Sequence, residues 1–241
     1  MKIESTATIL SFDPFTVDTG DSSHNLGESV RAADGREFSY GQAASTVAIG
    51  KLNQAAAPIS NHANMTTAAA AIGATQVTVT PGATGGDADI YAEGYLVVND
   101  ATGEGATYKV KGHAAITSST AFVVDLFDPI RATALTSSSQ TTLVHNAYKL
   151  HVEATATTTR GSGVSLVAQA ASDFGWLQKK GVASVLIGTA ATLGSPLSAE
   201  SSGKVNDVAD LYGASATNIV AWASIQAGVA TEYNPVFLQI M

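Results

Sequence analysis

The stretch Thr75–Pro81, "TQVTVTP", alternates threonine with valine and decides the fold class. A period of two places the valines on one face of an extended chain, which is typical of a half-buried β-strand. Similar short stretches follow, bounded by Gly, Asn, Asp or Pro: "GYLVVND" (94–100), "ATYKVKG" (106–112) and "TAFVVDLFDP" (120–129). The turn-rich "NDATGEG" (99–105) is typical of a hairpin connection. The sequence therefore predicts a central β domain over residues 61–150.

The flanking regions predict a different organisation on each side. Residues 1–60 are rich in Pro, Gly, Asp and Ser, which predicts a flexible N-terminal arm ending in a first strand. Residues 151–241 contain further short strand patterns and predict a C-terminal β domain. The fold class is thus mainly β, with two small β-sandwich or barrel units and little helix. The sequence leaves open whether the central unit is a separate domain or an insertion into a barrel built from both ends.

A late stretch, "SDFGWLQKKGVASVLIG" (172–188), contains the kinase letters D-F-G, and "TVAIGK" (46–51) is close to V-A-I-K. A kinase also requires a glycine-rich phosphate loop and an H-R-D-type catalytic loop, and no H-R-D occurs between these two stretches. The D-F-G is therefore interpreted as a turn that opens a strand, with Phe174, Trp176 and Leu177 in a core. The segment Lys179–Gly181 is predicted to be a tight turn between two strands.

Composition restricts the partners. Charged residues make up 13 % of the 241 residues, the formal net charge is −8, and no basic cluster is present. Binding to nucleic acid or to an anionic membrane is not expected, because both require basic side chains. The chain has no cysteine, which excludes disulfides and thiolate sites. Neither a secretory signal nor an apolar run of membrane-spanning length is found, so synthesis in a cytoplasm is expected.

No catalytic, cofactor-binding or metal-binding residue is predicted, and the chain is expected not to be an enzyme. The acidic residues near Asp87 and Asp89 match only part of a calcium-binding loop, which leaves a loose Ca²⁺ site as an alternative. The five histidines form no H-E-x-x-H motif. They are interpreted as residues of strand surfaces, with His145 and His151 on one face. The two tryptophans, Trp176 and Trp222, are expected to anchor a core.

Several motifs occur together in a distinctive order: D-G-R-E-F-x-Y at Asp34–Tyr40, a Gly-Tyr-Leu hairpin at Gly94–Tyr108, "DLFDPI" at 125–130, and F-G-W-x-Q-x-x-G-x-A at Phe174–Ala183. This combination resembles a class of tailed-bacteriophage structural proteins regarded as capsid decoration or cement proteins. The resemblance covers most of the middle of the chain. It implies a particle protein without catalytic residues.

The expected function is a non-enzymatic virion protein, made in the host bacterial cytoplasm, that binds the outer capsid surface and stabilises the shell. Its expected partners are the major capsid protein and further copies of itself, as a trimer first and a dimer second. The candidate contact or core residues are Arg36, Phe38, Tyr40, Phe174, Trp176 and Trp222. The alternative is a head fibre or adhesin that recognises host glycans through loops 81–90 and 99–105. An enzyme such as a depolymerase ranks third, since no carboxylate pair is evident.

Overall fold

The computed structural model describes residues 12–155, 160–208, 219–222 and 227–240. The chain divides into two compact units. The sheet unit comprises the described residues of Met1–Gln54 and Leu150–Met241, and the barrel unit is Ala55–Lys149. The mainly β fold predicted from the sequence is confirmed, and the helical elements in these ranges are 3₁₀ turns such as Ser60–His62 and Ser201–Gly203.

The sheet unit is built on one large sheet of antiparallel strands. The strands are β1 (Val17–Asp18), β2 (Ser29–Arg31), β3 (Glu37–Gln42), β4 (Leu52–Gln54), β11 (Val152–Glu153), β12 (Gly161–Ser165), β13 (Phe174–Leu186), β14 (Pro196–Ala199), β15 (Val205–Asp207), β16 (Ile219–Trp222) and β17 (Tyr233–Gln239). Their order in the sheet is β11-β4-β12-β13-β17-β16-β14-β15; in addition, β1 and β3 pair with β13, and β2 pairs with β3.

The chain leaves and re-enters the sheet unit through neighbouring strands. Val152 of β11 pairs with Gln54 of β4, and Glu153 pairs with Asn53. The barrel unit is therefore an insertion between two paired strands, and the N- and C-terminal parts of the chain share one sheet. Of the two arrangements that the sequence left open, the structure has the insertion.

The region predicted to be an arm contributes strands to this sheet. Residues 1–11 lie outside the described residues. From residue 12 onward the region supplies β1 to β4, and Phe38 and Tyr40 of β3 are buried. Because β3 pairs along the first half of β13, the burial of this region depends on a partner more than 130 residues later in the chain.

Strand β13 is one continuous strand of 13 residues, so the prediction of a tight turn at Lys179–Gly181 was wrong. The register shifts between Gln178 and Lys180, where the β3 pairing ends and the β17 pairing begins. Gly181 has φ +87°, and a Cβ there would lie 2.9 Å from Cγ of Arg36. The extra residue of the bulge is Lys179, and Gly181 follows it beneath the arginine, in regular pairing with Leu238 of β17.

The barrel unit is a closed barrel of six strands: β5 (Met65–Thr67), β6 (Gln76–Thr80), β7 (Tyr95–Asp100), β8 (Thr107–His113), β9 (Phe122–Leu126) and β10 (Gln140–Val144). Their order around the barrel is β10-β5-β6-β9-β8-β7. Alternate residues of β6, Val77 and Val79, are buried in its core, as the "TQVTVTP" pattern predicts. The hairpin between β7 and β8 is also confirmed, and its turn places Gly103 and Gly105 at positive φ.

Candidate functional site

Four of the six candidate residues form a buried aromatic cluster in the sheet unit: Phe38, Tyr40, Phe174 and Trp176. The ring centroids of Tyr40 and Trp176 are 5.2 Å apart at an angle of 65°, and Phe174 stacks on Tyr40 at 6.0 Å. The interpretation of D-F-G as the start of a core strand is confirmed. Asp173 belongs to the preceding turn, where its carboxylate accepts a hydrogen bond from the Ala170 amide at 2.9 Å.

The polar edge of this cluster is closed by hydrogen bonds. The Tyr40 hydroxyl donates to the carboxylate of Asp18, and Ser23 Oγ donates to the same carboxylate. Burial, followed by the bond to Asp18, raises the pKa of Tyr40 to about 12. The bonds from Ser23 and then Tyr40 hold the pKa of Asp18 below its usual value. Burial of Tyr40 and the hydrogen bonds at this edge of the cluster account for both pKa shifts, which is what a structural role of Tyr40 and Asp18 produces.

The other two candidates lie at the surface. The Arg36 guanidinium stands over the ring of Phe38 at 5.4 Å, and its Nε donates to Asp34 at 2.7 Å. Trp222 is 37 % exposed, so the prediction that both tryptophans anchor a core holds for Trp176 and fails for Trp222. Its outward position follows from the β16–β17 pairing, where Trp222 lies directly opposite Phe237.

Around Trp222 the sheet unit presents an exposed apolar surface, which we call the apolar face. Phe237 pairs with Trp222 on one side and with Val182 on the other, so the three side chains cross three strands on one side of the sheet. The members of the apolar face are 37 to 59 % exposed: Phe15, Ile49, Val182, Trp222, Tyr233 and Phe237. Its four aromatic side chains expose roughly 350 Å² if a whole aromatic side chain contributes about 200 Å².

A groove of about 440 Å³ runs into this face, and Phe15, Ile49, Tyr233 and Arg36 are among the residues that line it. Gly50 forms part of its wall with φ +67°, and a Cβ there would lie 2.6 Å from the Tyr233 ring. Glycine is therefore required both for the backbone conformation and for the close approach of Tyr233.

Two cations near the apolar face are paired within the chain. Arg36 bonds Asp34 at 2.7 Å, and Lys180 lies 3.3 Å from Glu37. A surface that is aromatic at its centre and has paired cations at its edge matches the anatomy of a protein–protein interface.

Most members of the apolar face were not predicted from the sequence. A signal was present in "EYNPVFLQI" (232–240), where apolar residues occupy both faces of the strand: Val236 and Leu238 are buried, while Tyr233 and Phe237 are exposed. A strand that is apolar on both faces either lies inside a domain or meets a partner. The sequence alone does not distinguish the two.

The histidines also differ from the prediction of surface positions. His62, His113 and His151 are buried, and His145 and His151 belong to different units rather than to one strand face. Within the described ranges, no group of three or more His, Asp or Glu side chains is arranged to hold a metal ion. In the same ranges, no helix has the length and apolar character needed to span a bilayer.

The chain matches no protein-family model, and neither the curated proteins nor the solved structures contain a significantly similar chain.

Proposed function

We propose that this chain is a non-enzymatic structural protein of a tailed-phage virion, which binds the outer surface of the capsid and stabilises the shell. The observation that carries the proposal is the apolar face. Exposed apolar patches on monomers rarely exceed 300–600 Å² and are often functional at that size, and the aromatic residues of this face alone reach that range. The sequence resemblance to capsid decoration proteins supplies the class of partner.

The geometry supports docking to a protein rather than to a charged polymer. Trp222, Tyr233 and Phe237 are the residue types enriched at the centres of protein interfaces, and the neighbouring arginine is already paired. A standard interface buries about 800 Å² per partner, of which the aromatic side chains of the apolar face would supply roughly 350 Å². The partner under this proposal is the major capsid protein.

In the proposed assembly, many copies of the chain each contribute a modest contact with the capsid. A closed oligomer, a trimer first and a dimer second, matches the symmetric junctions of a shell. Linked copies bind with an effective concentration that strengthens the whole attachment. The protein is then made in the bacterial cytoplasm and ends on the outer surface of the virion.

The double variant Trp222→Ala/Phe237→Ala is expected to weaken capsid binding by roughly 10- to 100-fold, as expected when interface aromatic anchors are truncated. Capsids assembled without the chain are mixed with it and sedimented, and bound copies are counted per capsid subunit. The wild type should saturate at a simple symmetric ratio and raise the capsid melting temperature.

The matched control is Phe127→Ala, which removes an aromatic side chain that is 53 % exposed on the barrel unit. It should bind capsids like the wild type. Wild-type binding at only a few sites, or at none, would reject the cement function. Saturating binding that the double variant leaves intact would retain the function but reject the apolar face as the docking surface.

A second candidate, a glycan-binding adhesin, rests on the barrel unit. Tyr95 and Phe127 are exposed there, and Lys109, which pairs with Tyr95, has its ammonium 5.4 Å from the Phe127 ring. Exposed aromatic rings beside a hydrogen-bond donor are suited to the faces and hydroxyls of sugars. A glycan array with wild type and Phe127→Ala tests it: binding lost in the variant would favour the adhesin.

A further inference from the structure

We propose that the barrel unit carries an acid-opened latch, in which neutral His113 holds the connection Thr84–Gly94 around Tyr91, beside the rings of His62 and His145. Uptake of a proton by His113 releases this connection from the barrel. The connection joins β6 to β7 and has no strand of its own beyond an isolated bridge at Gly86. The inference goes beyond the proposed function and does not depend on it.

His62 contacts the connection at two points. Its Nε2 lies 2.9 Å from the carbonyl oxygen of Thr84, which only accepts, so Nε2 donates to it. Its Nδ1 lies 2.6 Å from the Tyr91 hydroxyl, which can donate or accept in this contact.

The two partners of His113 determine which of its ring nitrogens carries the proton. Its Nδ1 donates to the carbonyl oxygen of Ala114 at 2.7 Å. Its Nε2 accepts from the backbone N–H of Tyr91 at 3.1 Å. A backbone N–H has no acceptor capacity, so protonation of Nε2 places two hydrogens against each other and this bond must break. Tyr91 is therefore held by His62 through its hydroxyl and by His113 through its amide, and only the amide contact requires a neutral ring.

The third histidine packs on the same ring. The centroids of His145 and Tyr91 are 4.4 Å apart, and His145 Nδ1 lies 3.2 Å from the carbonyl oxygen of Ile90. The Lys149 ammonium donates to the carbonyl oxygen of Asp89. Cationic groups are thus already present near the latch, which disfavours further positive charge.

Burial, the largest cause for each, lowers the pKa of both His113 and His145. Nearby positive groups act in the same direction, whereas Asp89 raises the pKa of His113. Groups with a lowered folded-state pKa take up protons on opening, so acid favours the open form. The titratable groups facing the latch are Asp89, Glu93, Lys111, Asp125 and Lys149.

Other contacts also hold the connection and do not involve the histidine rings. Gly86 bridges Ile116, the Asp89 amide donates to the His113 carbonyl at 3.0 Å, and the Glu93 amide donates to the Val110 carbonyl at 2.9 Å. Gly94 lies so close to the Val144 carbonyl that a Cβ would not fit, which fixes the end of the connection at β7. Opening is therefore expected to be local to Thr84–Glu93 and to leave the barrel strands paired.

The test is hydrogen exchange with mass spectrometry on the full chain, with protection factors corrected for the intrinsic rate at each pH. In the wild type, peptides that cover residues 84–93 should lose protection by about tenfold or more between pH 7 and pH 5. His113→Gln keeps an amide oxygen as acceptor but does not titrate, and should reduce this loss to less than about threefold. The control His151→Leu, in the sheet unit, should behave like the wild type.

Unchanged protection of residues 84–93 in the wild type between pH 7 and pH 5 would overturn the latch. So would a full loss in His113→Gln when that variant is protected normally at pH 7. If the variant is already open at pH 7, imidazole ¹⁵N shifts of the wild type decide. The latch requires neutral His113 with its proton on Nδ1 at pH 7, and a Tyr91 amide resonance that moves with the His113 titration. A charged ring at pH 7, or an unmoved Tyr91 amide, would reject it.

Discussion

Replacing Trp176 by alanine is expected to destabilise the sheet unit by about 3–5 kcal/mol, the usual cost of removing a large buried aromatic side chain. Trp176 is 2 % exposed and stands at the centre of the aromatic cluster. Its ring centroid lies 5.1 Å from that of Phe12, 5.0 Å from His24 and 5.2 Å from Tyr40. Because these three rings are carried by different loops and a strand of residues 12–40, none can collapse into the cavity without moving its own backbone segment.

The matched control is Trp222→Ala, which removes the same side chain from the exposed face. Its cost should stay below about 1 kcal/mol, in the range of surface substitutions. Urea unfolding followed by pulsed hydrogen exchange separates peptides of the sheet unit from those of the barrel unit. Equal losses for the two variants, or a loss below about 1 kcal/mol for Trp176→Ala, would contradict the central role of the cluster.

The sequence predicts local structure well wherever residues within a few positions of one another determine it. The alternation at Thr75–Pro81 predicts β6, and the turn chemistry at 99–105 predicts the hairpin of the barrel unit. The absence of the other kinase motifs allows the D-F-G to be assigned to the beginning of β13. All three inferences rest on neighbours within a few residues, where sequence period and turn propensity act directly.

Features that depend on distant pairing were not predictable in the same way. Lys179–Gly181 has turn composition, yet it continues β13 because β3 and β17 pair on its two sides. His151 has a surface-type residue identity, yet it is buried beside Ala43, its bridge partner more than 100 residues earlier. In both cases the partner strand, rather than the local propensity, decides the outcome.

In the candidate site, too, the features set by local sequence were predicted and those set by distant strand pairing were not. The strand pattern after the D-F-G predicts a core position for Phe174 and Trp176, but for Phe38 and Tyr40 the sequence did not distinguish core from contact. The structure assigns these four to the core and leaves Trp222 on the surface. The apolar face itself is assembled by the register of β13, β16 and β17, which no local pattern specifies.

The sheet unit is expected to lose about 3 kcal/mol of stability between pH 6.5 and pH 4 because of His151. This side chain is fully buried, and its imidazole nitrogens have no hydrogen-bond partner among the described residues. Burial lowers the pKa of His151 to about 4, although the adjacent Gln169 amide acts slightly in the opposite direction. An unfolded histidine has a pKa of about 6.5, and each unit of difference corresponds to about 1.4 kcal/mol.

The sign follows from proton uptake. Below pH 6.5 the unfolded chain binds a proton at His151 that the folded chain excludes, so stability falls until the folded pKa near 4 is reached. Asp18 also contributes acid sensitivity, because its carboxylate is hydrogen-bonded in the folded state and its pKa is lowered. Stability from Asp18 is lost only as the pH falls below the unperturbed aspartate pKa of 3.8, so the two effects occupy different pH ranges.

The variant His151→Leu removes the titrating group and loses only the weak polar contact with Gln169, so it should keep most of its neutral-pH stability and lose most of the slope between pH 6.5 and pH 4.5. Tryptophan fluorescence in urea titrations measures this, since both tryptophans lie in the sheet unit. His113→Gln serves as the control, because it alters only the barrel unit and should leave the fluorescence profile unchanged. A slope that persists in His151→Leu would assign the acid sensitivity to other groups of the sheet unit.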